Sequence, residues 1–239
     1  MLLGMLCMAQ AKDRIVERPP FLAQNSSSIE IDKIVMSDTV TTVYIKAFYR
    51  PKYWIKIATG SVLKDNNGIL YPIRKGIGIT LDKEFWMPES GEAEFQLTFP
   101  PIPQNVTRLD FSEGDFEGAY KIWGIQLDKK SFGKFKLPKD VIVPKADHKM
   151  TLPDPIVKYD KAILKGRILD YQKGMPDKGS LYYQDVIREG AQEGKIRIQD
   201  DGTFYHEMNV FMITPCTIMS PFGTIEYLLA PGETTSIVI

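Results

Sequence analysis

Wherever this sequence shows a hydrophobic period, the period is two. In Glu92-Ala93-Glu94-Phe95-Gln96-Leu97-Thr98-Phe99, charged or polar residues alternate with apolar ones. An extended strand with that pattern buries one face and wets the other. Thr39 to Tyr49 is dense in β-branched and aromatic residues, as strands are. No stretch carries the spacing of an amphipathic helix. About eight or nine short strands, with turn signals every ~8–12 residues, precede Leu127. The pattern therefore predicts an all-β chain of two antiparallel β-sandwich domains, the first immunoglobulin-like and the second smaller.

Turn chemistry supports that reading. Lys64-Asp65-Asn66-Asn67-Gly68 separates two short apolar runs and carries the Asn-Gly hairpin signal. Asp200-Asp201-Gly202 is a second tight turn, into Thr203–Met208. Glu113 to Gly118 is a Gly-rich acidic turn between Arg108–Phe111 and Tyr120–Leu127, and this hairpin reads as the closing element of the first domain. Trp123 is its expected core anchor. Gly166, inside Ala162–Leu169, marks an expected bulge or bend.

These signals divide the chain. Residues 1–11 read as an incomplete signal peptide, an apolar run followed by Ala9-Gln10-Ala11. Residues 12–28 are an extended segment interrupted by Pro19-Pro20. Residues 29–128 form the immunoglobulin-like sandwich. Residues 129–160, rich in Pro and Lys, form a linker. Residues 161–239 form the second small sandwich, expected to be truncated because Ile237-Val238-Ile239 ends inside a β-branched run.

Lys and Arg number 30 and Asp and Glu also number 30, so no excess of positive charge exists to neutralise nucleic-acid phosphates or coat an anionic membrane. No run approaches the ~20 apolar residues of a membrane-spanning helix. Cys7 and Cys216 are the only cysteines, and removal of the leader would leave Cys216 alone. That excludes an antibody-type intersheet disulfide and any Cys-x-x-Cys redox pair. His148 and His206 add no metal-site spacing.

The candidate chemistry is sparse. Glu113, Asp115 and Glu117 alternate, and in an extended segment they would share a face able to gather a cation. A solvated turn explains the same residues, and we expect no metal. Cys216 is expected to be a buried apolar filler. His206 and Glu207 are strand neighbours facing opposite ways, so they cannot form a dyad. Asp38-Thr39-Val40 resembles the O-glycosylation motif of one group of exported bacterial proteins. Trp54, Trp86 and Trp123, with Tyr44, Tyr49, Tyr53 and Tyr71, could line an aromatic platform of the kind that receives sugars, with Trp54, Tyr53 and Trp86 as the candidate binding surface; the same rings could instead fill a sandwich core. No nucleophile–base pair of the kind a hydrolase needs is displayed.

The stretch Asp110 to Leu127, with Glu113-Gly114 and Trp123-Gly124-Ile125, resembles the N-terminal region of exported bacterial TlpA-like thiol–disulfide oxidoreductases. Leu164-Lys165-Gly166-Arg167-Ile168, Asp201-Gly202-Thr203-Phe204 and Tyr227-Leu228-Leu229-Ala230-Pro231-Gly232-Glu233 are similar to the small β-sandwich that precedes their thioredoxin domain. In such proteins the sandwich is an accessory module, and a downstream Cys-x-x-Cys does the redox work. The resemblance therefore implies a non-catalytic accessory module, exported to the periplasm or cell envelope. It would need no cofactor and would act in docking a partner or substrate. The alternative is a free-standing cell-envelope protein that binds a glycan or peptide.

Overall fold

A computed structural model describes residues 13–128, 139, 157–184 and 190–239. These residues form β-strands, turns and bends, with no helix among them, as the period of two predicts. The chain divides into two compact units, Met1–Lys134 and Phe135–Ile239. The leader and most of the linker expected from the sequence lie outside the described residues.

The first unit has two five-stranded sheets. One is ordered β1 (Arg14–Glu17), β3 (Ile29–Met36), β4 (Thr41–Phe48), β10 (Glu92–Phe99), β8 (Lys75–Ile77). The other is ordered β2 (Ala23–Gln24), β12 (Lys121–Gln126), β11 (Arg108–Ser112), β6 (Val62–Asp65), β7 (Leu70–Pro72). A two-stranded ribbon pairs β5 (Trp54–Ile55) with β9 (Phe85–Trp86). Thr41, Val43, Ile45 and Ala47 are buried in alternation along β4. Val43, Ile45 and Ala47 join Leu63, Leu109, Phe111, Ile122 and Ile125 of the other sheet in a single core. Each such large side chain contributes roughly 1.5–3 kcal/mol on burial.

The segment expected to lie extended before the sandwich is built into it. Arg14 pairs with Met36 and Glu17 with Lys33, while Ala23 of β2 pairs with Trp123 on the opposite sheet. Pro19 and Pro20, which cannot donate to a ladder, fall where the chain crosses between the sheets.

The β11–β12 hairpin contains a bulge. Leu109 faces Ile125 but Phe111 faces Ile122, so Trp123 and Gly124 stand against Asp110 alone. Gly124 has φ +66°, and its N–H donates to the Asp110 carboxylate at 2.7 Å. Leu22 packs where a Cβ on Gly124 would sit, 2.5 Å away. Trp123 is buried, as expected, but it is not part of the two-sheet core that its neighbour Ile122 joins.

In the second unit β16 (Thr203–Val210), β13 (Asp160–Arg167) and β19 (Thr234–Val238) form one sheet. The other is ordered β15 (Ala191–Arg197), β14 (Lys178–Gln184), β17 (Thr214–Ser220), β18 (Gly223–Leu229). Ala162, Leu164, Leu181, Phe204, Ile218 and Leu229 belong to its core. Two expectations are corrected here. The unit is not purely antiparallel: after the turn at Ala230–Glu233 the chain enters the opposite sheet, and β19 runs parallel to β13. Nor does Gly166 mark a bulge or bend, because the β13–β16 register is unbroken from Asp160 to Arg167. Glycine is required there because the Phe204 ring lies over it, with Cζ 1.8 Å from the position a Cβ would take.

Candidate functional site

Of the aromatic residues singled out from the sequence, Tyr49, Tyr53, Trp54 and Trp86 come together in the first unit. After β4 the chain turns through Tyr49–Tyr53, where Lys52 adopts a left-handed φ of 63° and the Tyr53 N–H donates to the Arg50 carbonyl at 3.2 Å. Tyr49 is held by an N–H bond to Gly91, and the Met87 N–H donates to Tyr53 at 2.8 Å. These bonds fasten the turn to the β5–β9 ribbon. Ile55 and Met87 are buried, and Phe85 lies 6.3 Å from the core ring of Phe95. The alternate residues of the ribbon must then face outward. Trp54 and Trp86 are paired directly across it and are 44% and 60% exposed. Tyr53 is 53% exposed and meets Tyr49 edge-on at 6.2 Å, with the Arg50 guanidinium over its ring.

Tyr49, Tyr53 and Trp54 open onto a cleft of about 610 Å³. The β11–β12 loop contributes Phe116, Glu117, Gly118 and Tyr120 to it, and the β2–β3 connection contributes Asn25, Ser26 and Ser28. The acidic loop and the aromatic face, separate features in the sequence, are thus two parts of one site. Trp86 does not line the cleft and stands beside it, across the ribbon from Trp54.

The three alternating acids do not share a face. Glu113 is 2% exposed. One carboxylate oxygen accepts the Ala58 N–H at 2.7 Å and the other the Tyr120 N–H at 2.9 Å. Its own N–H donates to the Tyr120 carbonyl at 3.0 Å. It thereby clamps the base of the acidic loop to the chain leaving β5. Asp115 instead pairs with Lys121 at 2.7 Å in solvent. Among the described residues no three His, Cys, Asp or Glu side chains converge on a point where a metal could sit. The solvated-turn reading is corrected at Glu113: the loop tip is wet, but this carboxylate is interior.

Burial pushes the Glu113 carboxyl above its ordinary value; the N–H bonds from Tyr120 and Ala58 and the charge of Lys56 only partly offset this. Burial, and then the negative charge of Glu113, push the Tyr120 hydroxyl up. Asp65 is a second buried carboxylate, 3% exposed. Burial pushes Asp65 up, but N–H bonds from Ile69 and Asn67 and the Tyr71 hydroxyl outweigh it and hold the group below its usual value. Asp65 organises the β6–β7 hairpin and lies outside the cleft. Its signal was visible: an Asp just before Asn-Asn-Gly is placed to cap the turn.

The other sequence candidates lie in the second unit. Cys216 is buried, and burial pushes its thiol up to about 11. His206 is half-buried beside Gly194 and pushed down by burial, whereas Glu207 faces solvent and pairs with Lys161 at 2.6 Å. Of the other platform candidates read from the sequence, Tyr71 and Trp123 are interior, and Tyr44 carries the Lys33 ammonium 4.2 Å from its ring centre.

No family model and no curated protein matches the chain. Among solved structures, pullulanase from Anoxybacillus sp. LM18-11 overlaps it with a TM-score of 0.29 and 11% identity, over 79% of this chain and 24% of that one. The same enzyme complexed with maltotriose gives a TM-score of 0.25 at 11% identity, over 79% and 24% of the two chains. The Bacillus anthracis TIE protein gives 0.23 at 9% identity, over 95% of this chain and 40% of that one. The chain thus spans well under half the length of these structures. Overlap at such scores carries no functional inference.

Proposed function

We propose that the chain is a non-catalytic docking module of the cell envelope, exported and accessory in the way the TlpA-like resemblance implies. Its docking face is the Tyr49–Tyr53–Trp54 cleft, and its ligand is a glycan. One observation carries this reading: large aromatic rings stand exposed together on an anchored ribbon, at the mouth of a cleft with polar groups. Such rings offer flat apolar surface to the C–H faces of sugars, and the polar rim can bond hydroxyls. A cleft of about 610 Å³ suits a small ligand. A stable protein partner would need roughly 800 Å² of surface on each side.

The state of Glu113 favours binding over hydrolysis. Canonical glycoside hydrolysis needs two carboxyl groups flanking the scissile bond. Glu113 has a raised pKa, yet it is 2% exposed and both its oxygens are held by backbone N–H groups. That leaves Glu117 as the accessible acid of the cleft.

The test is a glycan array probed with the wild-type chain and with Trp54→Ala. Wild-type hits that vanish in the variant support the proposal. An array without hits above background overturns it.

A further inference from the structure

Trp54 belongs to the cleft and Trp86 stands outside it, yet the two are direct cross-strand partners on one face of the β5–β9 ribbon. Partners in such a pair have their Cβ atoms ~4.5–5.5 Å apart. That step is comparable to the advance of one sugar ring along a glycan chain. The platform therefore continues from the cleft onto an open shelf.

The shelf is fixed in place. Phe85, beside Trp86, packs toward the core ring of Phe95, and Met87 on its other side is buried. A ring presented from such a support binds without first being ordered.

The accessible charges of the cleft cancel. Lys56 and Glu117 line it with opposite sign; Glu113 also lines it but is 2% exposed with both oxygens held by the Ala58 and Tyr120 N–H groups, and Asp115 is neutralised by Lys121. Strongly acidic and strongly basic ligands would each meet a like charge, whereas an uncharged one meets only hydrogen-bonding groups.

We infer that the site takes an uncharged oligosaccharide of at least two rings, one in the cleft against Tyr53 and Trp54 and the next on Trp86. This rests on the glycan reading above and adds a second subsite and a charge class to it.

The experiment is calorimetric titration with neutral oligosaccharides of one to six units in the cellulose, chitin and α-1,4-glucan series. A carboxylate-bearing uronic-acid series serves as comparison. Wild type, Trp86→Ala and Trp86→Phe are compared. In one neutral series, affinity should rise about tenfold on adding the second or third unit, as a favourable ring contact supplies. Trp86→Ala should remove that increment and leave the shorter ligand's affinity unchanged, and Trp86→Phe should restore most of it. Because residue 86 is exposed, the variants should keep the wild-type melting curve. A neutral series with no length dependence, or one untouched by Trp86→Ala, overturns the inference and leaves the glycan reading standing. Preference for the uronic-acid series overturns the charge assignment. No binding to any series overturns the glycan reading itself.

Discussion

Replacing Glu113 by Gln isolates the clamp beneath the cleft. The wild-type carboxylate accepts two backbone N–H groups, from Ala58 at 2.7 Å and Tyr120 at 2.9 Å. A Gln side chain of the same shape keeps one carbonyl oxygen and puts an NH₂ donor against the other N–H. A buried donor left without an acceptor costs ~1–3 kcal/mol. The variant also removes a buried negative charge, which offsets part of that loss, so we expect a net destabilisation of about 1–2 kcal/mol at neutral pH. Glu113→Ala orphans both donors and should cost more, about 2–4 kcal/mol. The pH dependence follows from the raised pKa of Glu113. The folded protein holds this proton more tightly than the unfolded chain, whose reference value is 4.5. The stabilising contribution of protonation is fully present below the unfolded value and is lost as pH rises through the folded one. Urea unfolding of wild type and Glu113→Gln between pH 4 and pH 8 should therefore show wild type gaining on the variant as pH falls. Hydrogen exchange should show the Ala58 and Tyr120 amides of the variant exchanging faster while β4 and β10 keep their protection. A gap that narrows on acidification would mean that the N–H bonds outweigh burial. Unchanged exchange at both amides would refute the clamp.

Three further outcomes test the packing. Gly124→Ala combines a left-handed φ of +66° with a Cβ 2.5 Å from Leu22, and should cost about 2–5 kcal/mol by thermal unfolding. Gly166→Ala drives a methyl into the Phe204 ring and should cost about 1–3 kcal/mol. Pairing it with Phe204→Leu should give a strongly non-additive double-mutant cycle; simple additivity would mean the ring does not lie over the glycine. Cys216, buried with its thiol pushed up to about 11, should react with an aromatic disulfide reagent at pH 8 only as urea unfolds the second unit. Prompt native-state labelling would contradict its burial.

The all-β fold was legible because local alternation survives wherever one face of a strand is buried. Glu92–Phe99 reads as a strand in the sequence and is β10. Ladder partners distant in sequence were not legible. Nothing local to Thr234–Val238 says that it will run parallel to β13. Gly166 looked like a bulge because a glycine in a strand usually marks backbone irregularity. Its actual reason, the Phe204 ring, lies on the neighbouring strand. At the site, Tyr53, Trp54 and Trp86 could be chosen only as large aromatic rings that could form a sugar platform. That Trp54 and Trp86 are partners, and that the acidic loop lines the same cleft, are tertiary facts. Glu113 was hidden for a related reason. A carboxylate between serine and glycine reads as solvated until the chain that supplies its second N–H, at Ala58, is known.

The most direct test of the account is the affinity of the wild-type chain and of Trp54→Ala for the best array ligand, measured by titration calorimetry with thermal unfolding as the control. We predict a loss of about tenfold or more in the variant with an unchanged unfolding midpoint, because residue 54 is 44% exposed and lines the cleft rather than the core. Equal affinities in the two proteins would contradict the assignment of the aromatic cleft as the docking face.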